Sequence, residues 1–368
     1  MKNTFGNNLT VTLFGESHGP FVGAVIDGLA PGIPVEGDYI DRMLTRRRPH
    51  GQISTARREA DEYVIVSGVF QGRTTGTPLT VLIPNGDVKS GDYAAMQSLP
   101  RPSHADYTAT LKYHGYQDAR GGGHFSGRVT AALVAAGAIC RQALEHKGIR
   151  IGTHVSACAG VCDRGFLDLK ADLDRLDQKD FAVLDEAAGE AMQAAILAAK
   201  ADGDSVGGIL ETAVVGMPGG VGEPWFDTLE GMLAHMLFSI PAVKGVEFGA
   251  GFALAEMRGS AANDPMRVED GRVVTLTNHS GGICGGITNG MPLVFRTAVK
   301  PTPTVYKPQQ TVDLSTMTDA VWEPRGRHDP AVVHRARAVQ DAVTAMVLCD
   351  ALVTRYGTDW LMPTEGKA

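Results

Sequence analysis

The pentapeptide Gly15-Glu16-Ser17-His18-Gly19 puts a hydroxyl beside an imidazole in a glycine-flanked turn. It matches G-x-S-x-G, the nucleophile elbow of serine hydrolases, which needs a strand before it and a helix after it. Here Pro20 and the strand-like run 21–26 follow, so esterase chemistry on Ser17 is the less favoured reading. Two readings remain open: a structural turn with a buried histidine, or His18 moving a proton beside Ser17. A second His sits in Arg101-Pro102-Ser103-His104-Ala105-Asp106, a loop rather than a helix face. Arg42, Arg46, Arg47, Arg48, His50, Arg57 and Arg58 form a basic cluster. It reads either as a solvated helix end or as a set of forked donors for carboxylate or phosphate. Arg120-Gly121-Gly122-Gly123-His124-Phe125-Ser126-Gly127-Arg128 leads into an apolar helix. Exposed backbone N–H groups there suit an anion or a cofactor phosphate, and the bland alternative is a loop with Ser126 as N-cap. Three late segments add to these: 278–286, with its repeated Gly pairs, Lys300-Pro301-Thr302-Pro303-Thr304, and 325–330, where Asp329 before Pro330 reads as a helix N-cap. Together these residues suit a small, multiply anionic substrate and acid–base help from histidine. No acidic cluster suits a divalent metal. Cys158 and Cys162 read as small buried hydrophobes rather than metal ligands.

These segments need elements to hold them. Strand-like runs cover 9–14, 22–26, 63–70 and 79–83, with a short helix over 38–45. Helices are expected over 128–146, closing at Gly148, and over 185–201, closing at Gly203. Strands at 206–215 and 245–255 flank a helix at 227–238, strands follow at 273–277 and 292–299, and a last helix runs from Pro330 to about Arg355. There is no regular β-α-β alternation, so the pattern favours α+β over a doubly wound sheet. No dinucleotide fingerprint or Walker A sequence is present.

Of 368 residues 43% are apolar and 20% charged, enough to bury a sizeable core. Glycine supplies 45 of them, about 12% against a usual ~7%, which implies many turns and close backbone approaches. The net charge of −7 argues against general nucleic-acid binding. The first residues lack a signal-peptide core, and the longest apolar run, 129–140, is too short to span a bilayer. A cytoplasmic protein without membrane or nucleic-acid partners is expected.

The order of the segments resembles the chorismate synthase family, from Phe5-Gly6 to about Arg355. The resemblance rests on Gly15–Gly19 followed by Val25-Ile26-Asp27-Gly28, on Gly123 to Thr130, on Ser239 to Glu247, on Gly281 to Gly286 and on Arg327-His328-Asp329-Pro330. It implies a β-α-β sandwich, helices packed between antiparallel sheets, as one domain over 1–368 and assembled as a homotetramer. It implies a lyase of the shikimate pathway that makes chorismate by anti-1,4-elimination of phosphate from 5-enolpyruvylshikimate 3-phosphate. Reduced FMN would be required without net redox change. NADPH would act only indirectly, through an external flavin reductase. By the same resemblance His18 would protonate the leaving phosphate and His104 the reduced flavin. Asp329, relayed through Ser17, would help the flavin accept the substrate proton. FMN contacts would come from His124, Phe125, Ser126, Pro241, Ala242, Gly285, Lys300, Pro301, Thr302, Pro303, Thr304 and Arg327. Arg47, Arg101, Arg128 and Arg327 would hold the substrate's phosphate and carboxylates. His124 stands where many relatives have Arg, Ser103 where Gly is usual, and Asp341 where Glu is usual. A flavin-binding relative without catalysis is the other alternative.

Overall fold

Val22, Ala24 and Ile26 alternate along the strand Phe21–Asp27, and Leu79, Val81 and Ile83 along Leu79–Pro84. All six are buried, because a period of two turns them to one face. The two strands pair antiparallel, with Val22 opposite Ile83 and Ala24 opposite Val81. They form the middle of a five-stranded N-terminal sheet ordered Thr4–Phe5, Thr10–Gly15, Phe21–Asp27, Leu79–Pro84, Val64–Ser67. A second antiparallel sheet is ordered Val243–Phe248, Leu293–Val299, Gly208–Val215, Arg150–Cys158, Val161–Cys162. The structure, a computed structural model, describes residues 2–55, 60–86, 98–323 and 329–363.

Two long helices fill the space between the sheets. The central helix Thr130–Glu145 rests on Phe21–Asp27 and Leu79–Pro84. The C-terminal helix Val333–Tyr356 rests on Arg150–Cys158 and Gly208–Val215. Fifteen of the central helix's sixteen residues are buried, the behaviour of a helix apolar on all sides. The helices touch closely because Gly137 lacks a side chain: a Cβ there would lie 2.5 Å from the Cβ of Ala342. The result is the expected α+β sandwich. A polar seam crosses its core. The Asp341 carboxylate accepts from Thr153 Oγ1 at 2.6 Å, and Gln340 donates to Thr212 at 2.7 Å. Arg141 reaches Asp341 at 3.3 Å and Asp177 and Glu145 at 3.1 Å each.

Several boundaries differ from the sequence reading. The C-terminal helix begins at Val333, with Val332 in the N-cap position and no side-chain cap. Asp329 is therefore not its cap; its carboxylate is spent elsewhere, as shown below. The strand expected over 245–255 stops at Phe248. Gly249 turns the chain with φ +56, where a Cβ would lie 2.0 Å from the His279 carbonyl oxygen. Strand Arg150–Cys158, helices Asp106–Tyr113 and Leu169–Leu176, and the hairpin Gln309–Asp313/Thr318–Trp322 were not anticipated. Cys158 is buried as expected, but Cys162 is exposed. No helix among the described residues is long and apolar enough to cross a membrane.

Candidate active site

A cavity of about 1020 Å³ opens beside the central helix. Its walls come from residues 2–5, the end of the helix Gly37–Arg47, and the loops at 101–105, 121–128, 238–243 and 300–304. Residues 329–339, at the start of the C-terminal helix, complete it. Its lining carries Lys2, Arg47, Arg101, Arg128, Lys300 and Arg335, and a single acid, Asp329, among the described residues. In a chain of net charge −7, such a surplus of cations marks a place for a polyanion. Val11, Leu13, Leu133, Val332 and Val339 add an apolar wall. Pockets for one drug-sized ligand run from about 300 to 1,000 Å³, so this one stands at the large end of that range.

Carboxylates hold the arginines in place. Asp61, buried, accepts from Arg47 Nη2 at 2.8 Å and from Arg128 Nη1, with Arg48 Nε at 3.6 Å. Burial pushes the Asp61 carboxyl up, but the two guanidinium groups outweigh it and hold its pKa below the usual value. Arg128 also donates to Asn85 Oδ1 at 2.9 Å and to the Pro84 carbonyl at 3.0 Å. Asp329 accepts from the Thr55 N–H at 2.8 Å and from Arg335 Nη1 at 2.6 Å. Arg335 Nε donates to the Arg47 carbonyl at 2.9 Å, tying the helix start to the end of the helix Gly37–Arg47.

The loop carrying His104 is fixed by Asp106. Its carboxylate accepts from Arg101 Nε at 2.7 Å, Arg101 Nη2 at 2.8 Å and the Arg101 N–H at 3.0 Å, and lies 2.8 Å from His104 Nδ1. Burial raises its pKa, yet the bonds from Arg101 and His104 prevail and hold it well below the carboxylate range. Ser103 adopts φ +58, the left-handed region where glycine is at ease. Its carbonyl accepts from Lys300 Nζ, which joins this loop to 300–304. Lys300 is pushed down by burial and by Lys244.

Ser17 and His18 sit in the hairpin loop between strands Thr10–Gly15 and Phe21–Asp27, with no helix after them. A nucleophile elbow is absent. Ser17 Oγ lies 3.1 Å from His18 Nδ1 and 3.2 and 3.3 Å from the carbonyls of Arg120 and Gly121. Gly121, φ +58, lines the cavity and lies against the pair; a Cβ on it would lie 2.2 Å from His18 Cε1. His124 Nδ1 donates to the Gly15 carbonyl at 2.7 Å, which leaves Nε2 available. Ser126 Oγ accepts from the Arg128 N–H at 3.3 Å and so caps the short turn Gly127–Val129; the central helix itself has Val129 at its N-cap position, without a side-chain cap.

The profile of the chorismate synthase family matches residues 9–353. The chain belongs to the chorismate synthase family. Among its relatives are the chorismate synthases of Aeropyrum pernix, 48% identical over 96% of this chain and 93% of that protein, and of Pyrococcus abyssi, 49% identical over 95% and 97%. A crystal structure of chorismate synthase superposes with a TM-score of 0.74 at 28% identity, over 96% of this chain and 94% of the other.

Of the residues the chorismate synthase resemblance singled out, the cavity gathers Arg47, Arg101, His104, His124, Phe125, Ser126, Arg128, Pro241, Ala242, Lys300, Thr302, Pro303, Thr304 and Asp329. Ser17, His18 and Pro301 stand outside its lining, and Gly285 lies at the exposed turn of the hairpin Ile283–Cys284/Ile287–Thr288. Ser17 and Asp329 share no hydrogen bond, since each is engaged with the partners named above. Arg57, Arg58, Arg327 and His328 lie outside the described residues. The basic cluster divides: Arg47 faces the cavity, Arg46 pairs with Asp177 at 3.0 Å, and Arg42 stacks over Tyr39 at 4.9 Å. Asp61, Arg335 and Thr55 were missed. No local motif marks them, because Asp61 and Thr55 hydrogen-bond residues 14 to 274 positions away and Arg335 lies on a helix whose start was misplaced. The residues present fit a phosphorylated flavin: cations for its phosphate, an apolar wall for its ring, and in Thr302 Oγ1 a buried hydroxyl without a partner among the described residues.

Proposed function

We propose that this cavity converts 5-enolpyruvylshikimate 3-phosphate to chorismate and phosphate, as a carbon–oxygen lyase acting on phosphates. The observation that carries the reading is the lining of six cations against one carboxylate among the described residues, with His104 and His124 beside them. The substrate bears a phosphate and two carboxylates, so Arg47, Arg101 and Arg128 would bind and orient it. Their charge would also stabilise phosphate as it leaves. His18, behind the bare backbone of Gly121, would give the departing phosphate its proton. Reduced FMN would be held by His124, Phe125, Ser126, Pro241, Ala242 and the segment Lys300–Thr304, with Arg327 and Gly285 as further contacts. The chemistry supplied by that bound group is electron density for the allylic centre left by phosphate, which no side chain offers. His104 would hold a proton beside the cofactor's anionic edge, and Asp329 would hold one near the substrate's ring. Substrate and cofactor filling the cavity together would exclude water from the reacting face.

The chain would work in the cytoplasm as a single-domain subunit of a homotetramer, with flavin reduced by a separate NADPH-dependent reductase. The test is an anaerobic assay with the substrate and chemically reduced FMN, following chorismate absorbance and phosphate release together. Stoichiometric products that require reduced flavin, with a large loss in His18→Ala, are expected. No turnover by folded protein would overturn the reading.

A further inference from the structure

We propose that Asp106 is the positioning residue of this site: one carboxylate sets the tautomer of His104 and locks the fork of Arg101. Asp106 does not line the cavity, so it acts through the two residues that do. Its Oδ1 lies 2.8 Å from His104 Nδ1 and accepts from Arg101 Nη2 at 2.8 Å. Its Oδ2 takes both the Nε–H and the backbone N–H of Arg101, at 2.7 and 3.0 Å. Behind the pair stands Gly122, where a Cβ would lie 3.3 Å from His104 Cε1 and 3.5 Å from Arg101 Nη2, so the backbone closes against both side chains.

The His104 ring has two possible neighbours at Nδ1, and they demand opposite tautomers. Arg101 Nη2, at 3.0 Å, would need Nδ1 to accept. Asp106 Oδ1, at 2.8 Å, needs Nδ1 to donate. An unprotonated Nδ1 would set its lone pair against those of a carboxylate, and the N–H to carboxylate bond is the shorter and charge-assisted one. Nδ1 therefore carries the hydrogen, and Nε2 is the unprotonated nitrogen of the neutral ring, free to take and return a proton. Removing the carboxylate's charge while keeping its shape inverts this. In Asp106→Asn the amide oxygen stays with the Nε–H and N–H of Arg101, while the amide NH₂ takes the place of Oδ1 and Arg101 Nη2 loses that acceptor. The amide NH₂ then faces Nδ1, which must accept, and the hydrogen moves to Nε2.

This inference deepens the reading of the cavity as the site of phosphate elimination and rests on it, but its first test needs no substrate. Nitrogen-15 NMR of ¹⁵N-histidine-labelled protein, with His104 assigned by its absence in His104→Gln, is recorded where the ring is neutral. The expected wild-type signature is a protonated Nδ1 and an unprotonated Nε2. An unprotonated Nδ1 in the wild type overturns the proposal without any variant. Asp106→Asn is expected to reverse the pattern, whereas Arg101→Gln, which keeps the carboxylate, retains it. Persistence of the Nδ1 hydrogen in Asp106→Asn overturns the proposal. In the anaerobic assay Asp106→Asn should lose kcat on the order of 10²-fold or more, the scale of a general acid–base group, with a smaller change in KM because Arg101 stays bound. A reversed tautomer with turnover within about twofold of wild type overturns the catalytic half. A wild type showing the expected tautomer yet no turnover indicts the functional reading instead.

Discussion

Two sets of buried arginine meet their carboxylates in different surroundings. At the cavity, one carboxylate, Asp61, serves Arg47, Arg128 and Arg48. In the core seam, one guanidinium, Arg141, faces Glu145, Asp177 and Asp341. Arg47, Arg128 and Arg141 are all buried, so exposure does not tell them apart. Location does. A cation in the cavity wall, such as Arg47 or Arg128, can meet a ligand. One that is shared among three acids is a staple between the helices, and its charge is fully answered inside the protein. Burial pushes Asp341 up even with Arg141 beside it, so the staple also settles how that carboxyl is tolerated in the core.

The contrast breaks most easily at the staple. Arg141→Met leaves the buried Asp341 without its cation and should cost about 3–5 kcal/mol in urea unfolding. Turnover per folded molecule should hardly change; a stable variant with lost activity would erase the distinction. Arg101→Ala should do the reverse: kcat/KM falls by about 10²–10³, the scale of one lost electrostatic donor, with a smaller loss of stability than Arg141→Met. Steady-state anaerobic kinetics paired with denaturation midpoints decide it. Gly137→Ala tests the close helix approach on which the staple depends. The new Cβ overlaps that of Ala342 and should cost about 1–3 kcal/mol. Adding Ala342→Gly should restore part of it, and additive losses would show that the contact is not the cause.

The smallest effect should come from a third paired centre. His154 Nδ1 lies 2.8 Å from Asp163 and Nε2 3.0 Å from Glu211. Burial lowers the His154 pKa, but hydrogen bonds to the two acids prevail and raise it above the ordinary 6.5. Its stabilisation is therefore complete below that ordinary value and is lost as pH climbs through the raised one. The gap in unfolding midpoint between wild type and His154→Gln should shrink from about pH 6 to 9. A gap that widens would refute the pairing.

How much of this could be read in the chain follows the same divide. The strands at 10–15, 21–27 and 79–84 were legible because a period of two survives in Val22, Ala24 and Ile26. The central helix was legible because it is apolar on all sides. The hairpin Gln309–Trp322 was not, since its mostly polar residues bury only Trp322. Among site residues, His104 and Arg101 announced themselves by a loop with two prolines. Asp61 did not, because its partners Arg47 and Arg128 lie 14 and 67 positions away and no spacing rule links them. Asp329 was found for the wrong local reason: next to Pro330 it resembled a cap, while its carboxylate in fact binds Thr55 and Arg335.

The turn at Asn7–Leu9 offers three backbone N–H groups, and the Asp350 carboxylate takes all of them, at 2.8 to 2.9 Å. That turn joins the strand Thr4–Phe5, part of the cavity wall, to the rest of the N-terminal sheet. Wall and anchor are separated by at least 341 residues of synthesis. At about 5–20 residues per second this is a delay of roughly 17–70 s on the ribosome. During that interval the wall segment exists without the acid that fastens it, so the nascent chain carries a finished sheet long before it carries a finished pocket.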